Sequence, residues 1–323
     1  MSDLDYTYAV ARIRALELNL FNSSVLEQLI GASSYDDALK ILADKGWGYS
    51  DIENDADAVL NCERERTWEV VSDLVEDMSV FDVMTYPDLY HNLKAAIKQV
   101  YTEEDHPRVF YKDTAVSPQK MVDIVREKSW LDLPRHMQQT ASEAAEVFAR
   151  TQDGQLCDII VDRGALEAVY AAGKESKADI LRKYAESTVA VADIKIAVRC
   201  QRTGKPLDFI RRALAPCDTL SIERLAQAAV SGEDAINSYL EQTDYAAGGA
   251  ALAESASAFE RWCDDQIIET IRPQKYNAFS IGPVVAYAIA RENEIKTVRI
   301  ILSGKQNALS EDSIRERVRK TYV

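Results

Sequence analysis

Polar and apolar positions along this chain recur with a helical beat. In DLYHNLKAAIKQV (88–100), Leu89, Leu93, Ala96, Ile97 and Val100 fall three and four apart, which puts them on one face of a helix. Near the C-terminus, Ala288, Ile295, Val298 and Leu302 share a face in the same way. TVAVADIKIAVRC (188–200) is ambiguous alone, because its β-branched residues also suit a strand. Its likeness to the other two runs settles it as a helix.

That likeness is a short signature: Asn92-Leu93-Lys94, Asp193-Ile194-Lys195 and Glu294-Ile295-Lys296. The triplets start at 92, 193 and 294, an even step of 101 residues, and the last two runs close on Gly-Lys at 204–205 and 304–305. Other pieces echo as well. LEQLIGASSYDDALKIL (26–42) and IERLAQAAVSGEDAINSYL (222–240) each read as a helix, a small-residue turn and a second helix. Pro107 and Pro206 follow a signature helix and mark unit ends. The pattern predicts three similar helical modules of about 100 residues, a normal domain size. Their borders are read as 1–106, 107–206 and 207–323, and the first module can include some C-terminal sequence.

Within each triplet Leu93, Ile194 and Ile295 are read as facing a module core. Asn92, Asp193 and Glu294, with Lys94, Lys195 and Lys296, are read as facing polar surroundings, either solvent or a partner.

Boundary signals support an all-α chain. Asn54 and Ser117 look like helix starts, the latter with Pro118 in the first helical position, and Gly154, Gly173 and Gly204 look like stops. Asp153-Gly154 is the only Asn-Gly or Asp-Gly pair, so hairpins have little to build on.

Composition narrows the partners. Hydrophobic residues make up 47% of 323 residues and charged residues 28%, which fits globular domains rather than disorder. The excess of 53 Asp+Glu over 38 Lys+Arg gives a net charge of −15, which disfavours nucleic acid or an anionic bilayer as main partner and suits a basic protein. The longest apolar run, around PVVAYAIA, is too short to span a membrane, and the acidic start MSDLDYTYAVAR lacks a secretory leader. Five dispersed cysteines read as small buried residues of a reduced interior.

No motif supports chemistry or a cofactor. Gly-Lys at 173–174, 204–205 and 304–305 lacks the upstream glycine of a phosphate loop, since Ala168, Arg199 and Arg299 stand there. These pairs read as helix C-caps with a solvated lysine. Asp264, Asp265 and Glu269 resemble the aspartate-rich motif of terpenoid synthases, and Glu233, Asn237 and Glu241 resemble its second magnesium site. Their chain order is reversed, however, and no paired basic residues for a diphosphate stand near them. The alternative reading is a solvated acidic face. His91, His106 and His136 are too spread out for zinc, and no Gly-x-Ser-x-Gly elbow is present. Trp47, Trp68, Trp130 and Trp262 read as core anchors. No catalytic, cofactor or metal residue is assigned.

The stretch YTYAVARIRALELNLFNSSVLEQLIGASSYDDALKIL, with Tyr8, Ala11, Arg12 and Arg14, resembles the opening of the central-stalk subunit of V/A-type rotary ATPases. That subunit is called C in archaeal and bacterial complexes and d in eukaryotic vacuolar ones. Asp88, Leu89, Asn92 and Leu93 resemble its Asp-Leu-x-Asn-Leu helix with one residue added. VADIKIAVRCQRTGKPLDFI and IARENEIKTVRIILSGKQNALSEDSIRERV resemble its second and third counterparts, so the likeness spans the chain.

The resemblance implies a non-catalytic rotor part: three helical modules around a pseudo-threefold axis, forming a funnel-like socket. The socket sits on the proteolipid ring of the membrane sector and receives the two-subunit shaft, in the cytoplasm and without entering the membrane. It couples ATP hydrolysis or synthesis to ion transport. Asn92, Lys94, Asp193, Lys195, Glu294 and Lys296 are then expected to line the funnel or an interface, and the acidic stretches DIENDADAVLNCERE and DLVEDM to meet basic partner surfaces. A magnesium-dependent all-α enzyme and a helical-repeat scaffold are the alternatives.

Overall fold

The computed structural model describes residues 6–48, 55–103 and 109–323. They form sixteen α-helices and short 3-10 turns without a strand, as the all-α reading expects. The chain divides into two compact units, Met1–Met78 with Ala247–Val323, and Ser79–Ala246.

The first unit opens with α1 (Thr7–Glu17), α2 (Ser23–Ile30), α3 (Tyr35–Asp44) and α4 (Ala56–Leu74). The second holds α5 (Asp82–Thr102), α6 (Pro118–Glu127), α7 (Arg135–Thr151) and α8 (Gly154–Glu175). It continues through α9 (Asp179–Arg202), α10 (Leu207–Ala213), α11 (Ile222–Ser231) and α12 (Glu233–Leu240). After α13 (Ala246–Glu254), the chain completes the first unit with α14 (Ala256–Ile271), α15 (Gly282–Gln306) and α16 (Glu311–Arg315). The three signature runs lie in α5, α9 and α15, and the two echoing segments form the helix pairs α2–α3 and α11–α12.

Helix starts follow local chemistry. Asn22, Ser34, Asp153, Ser221, Ser255 and Ser310 each accept a first-turn N–H with their side chains. Ser117 precedes α6 with Pro118 at the first position, as expected, though its hydroxyl makes no cap bond. Asp55 caps α4, accepting the Asp57 and Ala58 N–H groups at 3.0 and 3.3 Å. Asn54, Pro107 and His106 lie outside the described residues.

The glycine stops divide. Gly204 follows α9 at φ +62°, a left-handed stop that suits glycine. Gly154 instead opens α8, and the stop of α7 is Gln152 at φ +54°. Gly173 and Gly304 lie inside α8 and α15, buried, where a Cβ would meet Ala185 and Ile314. Their role is close helix packing, which periodicity alone does not separate from capping.

In the second unit the core joins Leu89, Leu93 and Ile97 of α5 to Met121, Met137, Phe148 and Val161. In the first, Phe21, Leu29, Leu42 and Trp47 pack with Val298, Ile301, Leu302 and Ile314, so both halves of the chain contribute to one core. The apolar run 282–290 is buried on every side, which explains its lack of amphipathic pattern. Among the described residues no helix is long and apolar enough to cross a membrane. All five cysteines are free; four are buried and Cys217 is partly exposed.

Candidate functional site

Leu93, Ile194 and Ile295 enter the cores as read, at 0%, 0% and 6% exposure. The polar residues before them are not on polar surfaces. Asn92, Asp193 and Glu294 are buried, at 0%, 1% and 7% exposure, because each satisfies backbone that would otherwise lack a partner. Asn92 accepts the Tyr111 N–H at 2.9 Å and donates to the Tyr111 carbonyl at 2.8 Å and to Thr114 Oγ1 at 3.0 Å. Asp193 Oδ1 accepts the Ala215 N–H at 3.0 Å. Burial pushes the Asp193 carboxyl up to about 8, against the opposing pull of that N–H and of Arg163. Glu294 Oε1 accepts the Phe21 N–H.

The lysines stay nearer the surface. Lys94 pairs with Asp162 of α8 at 2.7 Å and Lys296 with Asp264 of α14 at 2.7 Å, while Lys195 is half-buried.

Around Glu294 lies a charged network that sequence reasoning missed. The Arg291 guanidinium bonds Glu294, meets Glu63 Oε2 at 2.7 Å and Thr67 Oγ1 at 3.3 Å, and sits 5.1 Å from the Trp47 ring centre. Glu63 also accepts from Arg66 at 2.7 Å and from the Gly48 N–H at 3.0 Å. Phe21 stacks on Trp47 at 4.9 Å. Burial raises the Glu294 carboxyl, and Arg291 with the Phe21 N–H opposes that rise. Glu63 and Arg291 lie 228 residues apart, so no local pattern announces them.

Arg319 and Lys320 of the C-terminal tail reach the aspartate-rich motif, through side chains and one backbone N–H. Asp264 pairs with Arg319 at 2.6 Å, Asp265 accepts the Lys320 N–H at 2.7 Å, and Glu269 meets Lys320 at 3.0 Å and Arg272 at 3.4 Å. Basic residues thus do stand beside this motif, supplied some 55 residues later in the chain. Glu233 pairs with Arg202 at 3.3 Å. Among the described residues no group of three or more His, Cys, Asp or Glu could hold a metal ion.

The remaining singled-out residues are structural. His91 Nε2 meets the Val109 carbonyl at 2.9 Å, and His136 Nδ1 meets the Tyr90 hydroxyl at 3.1 Å. Trp47 is a core residue, Trp130 packs against the second unit's core, Trp68 Nε1 donates to Glu292 at 3.1 Å, and Trp262 lies over Gly248. The Gly-Lys lysines are not merely solvated: Lys174 pairs with Asp218, Lys205 donates to Gln155 Oε1 at 2.5 Å, and Lys305 donates to the Ala32 carbonyl at 2.5 Å. Arg14 ties α1 to the loop before α15, donating to the Gln274 and Asn277 carbonyls at 2.6 and 2.8 Å. On that unit Tyr8, Leu18, Tyr276 and Phe279 expose large apolar side chains.

The family described as ATP synthase (C/AC39) subunit matches residues 9–317. The C subunit of the V-type sodium ATPase of Enterococcus hirae is 23% identical over 318 residues, covering 96% of this chain and 97% of the relative. The C subunit of the A-type ATP synthase of Methanocaldococcus jannaschii is 23% identical over 345 residues, covering 96% and 85%. That of Haloferax volcanii is 26% identical over 163 residues, covering 48% and 46%. With all but the ends of an all-helical chain inside the match, the chain belongs to the ATP synthase (C/AC39) subunit family, the non-catalytic C subunits of V/A-type rotary ATPases.

Proposed function

We propose that this chain is the central-stalk socket of its rotary complex, seated on the proteolipid ring and receiving the end of the shaft. It couples ATP turnover in the headpiece to ion movement through the membrane. The observation that carries this reading is the near-full-length likeness to the C subunits of two rotary complexes, each aligned to 96% of this chain. A coupling part must not slip, so its contacts should reach on the order of 2,000 Å² or more in total.

Three modules, 1–106, 107–206 and 207–323, around a pseudo-threefold axis belong to the same proposal, as does a cytoplasmic position peripheral to the membrane. Lys94, Lys195 and Lys296 would border a partner surface, with Asn92, Asp193 and Glu294 holding backbone behind them. The acidic stretch Asp73–Met78 would face basic partner loops; residues 51–54 of its companion stretch lie outside the described residues.

Purification of the tagged chain under mild detergent tests the reading. Recovery with the shaft subunits and the proteolipid ring is expected, and recovery of the chain alone would overturn it. At low salt, Lys195→Glu with Lys296→Glu should weaken shaft binding; unchanged affinity would remove those lysines from the interface.

A further inference from the structure

Ten polar or charged residues are buried among the described residues, and three of the ten are the residues that open the repeated triplets. Each sits in the middle of a long helix and uses a side-chain oxygen on one N–H of a segment lying outside the helices. Asn92 takes the Tyr111 N–H, Asp193 that of Ala215, and Glu294 that of Phe21. In every case the captured residue leads into further helices: Tyr111 into α6 and α7, Ala215 into α11 and α12, Phe21 into α2 and α3.

The reach differs in direction. Asn92 and Asp193 capture residues 19 and 22 positions ahead, whereas Glu294 captures one 273 positions behind. The chemistry around the oxygen differs too. Asn92 is neutral and fills its remaining capacity with the Tyr111 carbonyl and Thr114. Asp193 is drawn toward its charged form by the Ala215 N–H that it captures and by Arg163 acting through space, with no ion pair among the described residues to offset its burial. Glu294 is balanced by Arg291, itself shared with Glu63. What the three hold in common is the acceptor and its position in the signature.

We propose that Asn92, Asp193 and Glu294 are one repeated backbone-capture device, and that Glu294 is the copy that closes the last signature helix onto the first helix pair of the chain. The three are positioning residues. A packing role alone would be filled by an apolar side chain of similar size; a capture role needs the oxygen. The inference concerns the chain's own construction and stands independently of the socket reading.

Amide hydrogen exchange on the full-length chain tests it. Asn92→Ala and Asp193→Ala should each speed exchange at their own captured amide, Tyr111 or Ala215, on the order of tenfold, leaving the other captured amides as they were. Asp193→Asn and Glu294→Gln keep an acceptor oxygen and should retain protection at Ala215 and Phe21. Should Glu294→Ala strand Arg291 and fail to fold, the variants at 92 and 193 still decide the matter. A folded alanine variant whose captured amide exchanges at the wild-type rate would overturn the proposal. So would oxygen-bearing variants that lose protection as fully as alanine.

Discussion

The carboxylate of Glu294, in the middle of the last long helix, accepts the backbone N–H of Phe21, 273 residues earlier in the chain. The same carboxylate pairs with Arg291, whose other arm reaches Glu63. One buried guanidinium therefore balances two buried carboxylates contributed by opposite halves of the chain. A buried pair of this kind stabilises little relative to apolar packing, yet removing one member leaves uncompensated charge.

Arg291→Met should accordingly destabilise the first unit by about 3–5 kcal/mol. Glu294→Gln, which preserves an acceptor for the Phe21 N–H, should cost less. Urea unfolding followed by tryptophan fluorescence checks this, because Trp47 lies against both Arg291 and Phe21. A cost for Arg291→Met within about 1 kcal/mol of zero would mean the network is not closed in solution.

Asp193 makes stability depend on pH. Its ordinary pKa is 3.8, and burial raises it to about 8 in the folded chain. Between those values the native state holds a proton that the unfolded state has released, so stability falls as pH rises through that window, by up to about 1.4 kcal/mol per pH unit. Asp193→Asn removes the titration and keeps the acceptor for the Ala215 N–H. Its Tm should match wild type near pH 4 and exceed it increasingly toward pH 8. Parallel curves for the two proteins would show that Asp193 titrates normally.

Three glycines in similar sequence settings should respond differently. Gly204 has no atom within 4 Å of an added Cβ but has φ +62°, so Gly204→Asn, a residue that tolerates this conformation, should be nearly neutral. Gly304→Ala would bring a Cβ to 2.6 Å from Ile314, and Gly173→Ala would press on Ala185. Each should lower stability by about 1–3 kcal/mol. Thermal unfolding of the three variants provides the check, and a costlier Gly204→Asn would reverse the assignment.

The long helices are legible because apolar spacing at 89, 93, 96, 97 and 100 reports one face without knowledge of what covers it. The even triplet is legible for the same reason. The environment of its first residue is not. Whether Asn92, Asp193 or Glu294 faces water or lies buried depends on a backbone N–H elsewhere in the chain, and polar identity alone favours the surface. Glu63 with Arg291, and Asp264 with Arg319, are hidden by the same separation. Gly173 and Gly304 read as stops because glycine at a helix crossing and glycine past a helix end look alike in one dimension. The carboxylates at 264–269 invite a metal reading until Arg319 and Lys320 arrive from the tail.

ATP-driven ion uptake into vesicles carrying the reconstituted complex, with and without this chain, tests the coupling role most directly. With the chain present, hydrolysis should drive uptake. Without it, the headpiece should still hydrolyse ATP while uptake falls to background. Uptake per ATP that is unchanged in the absence of the chain would contradict the coupling role outright.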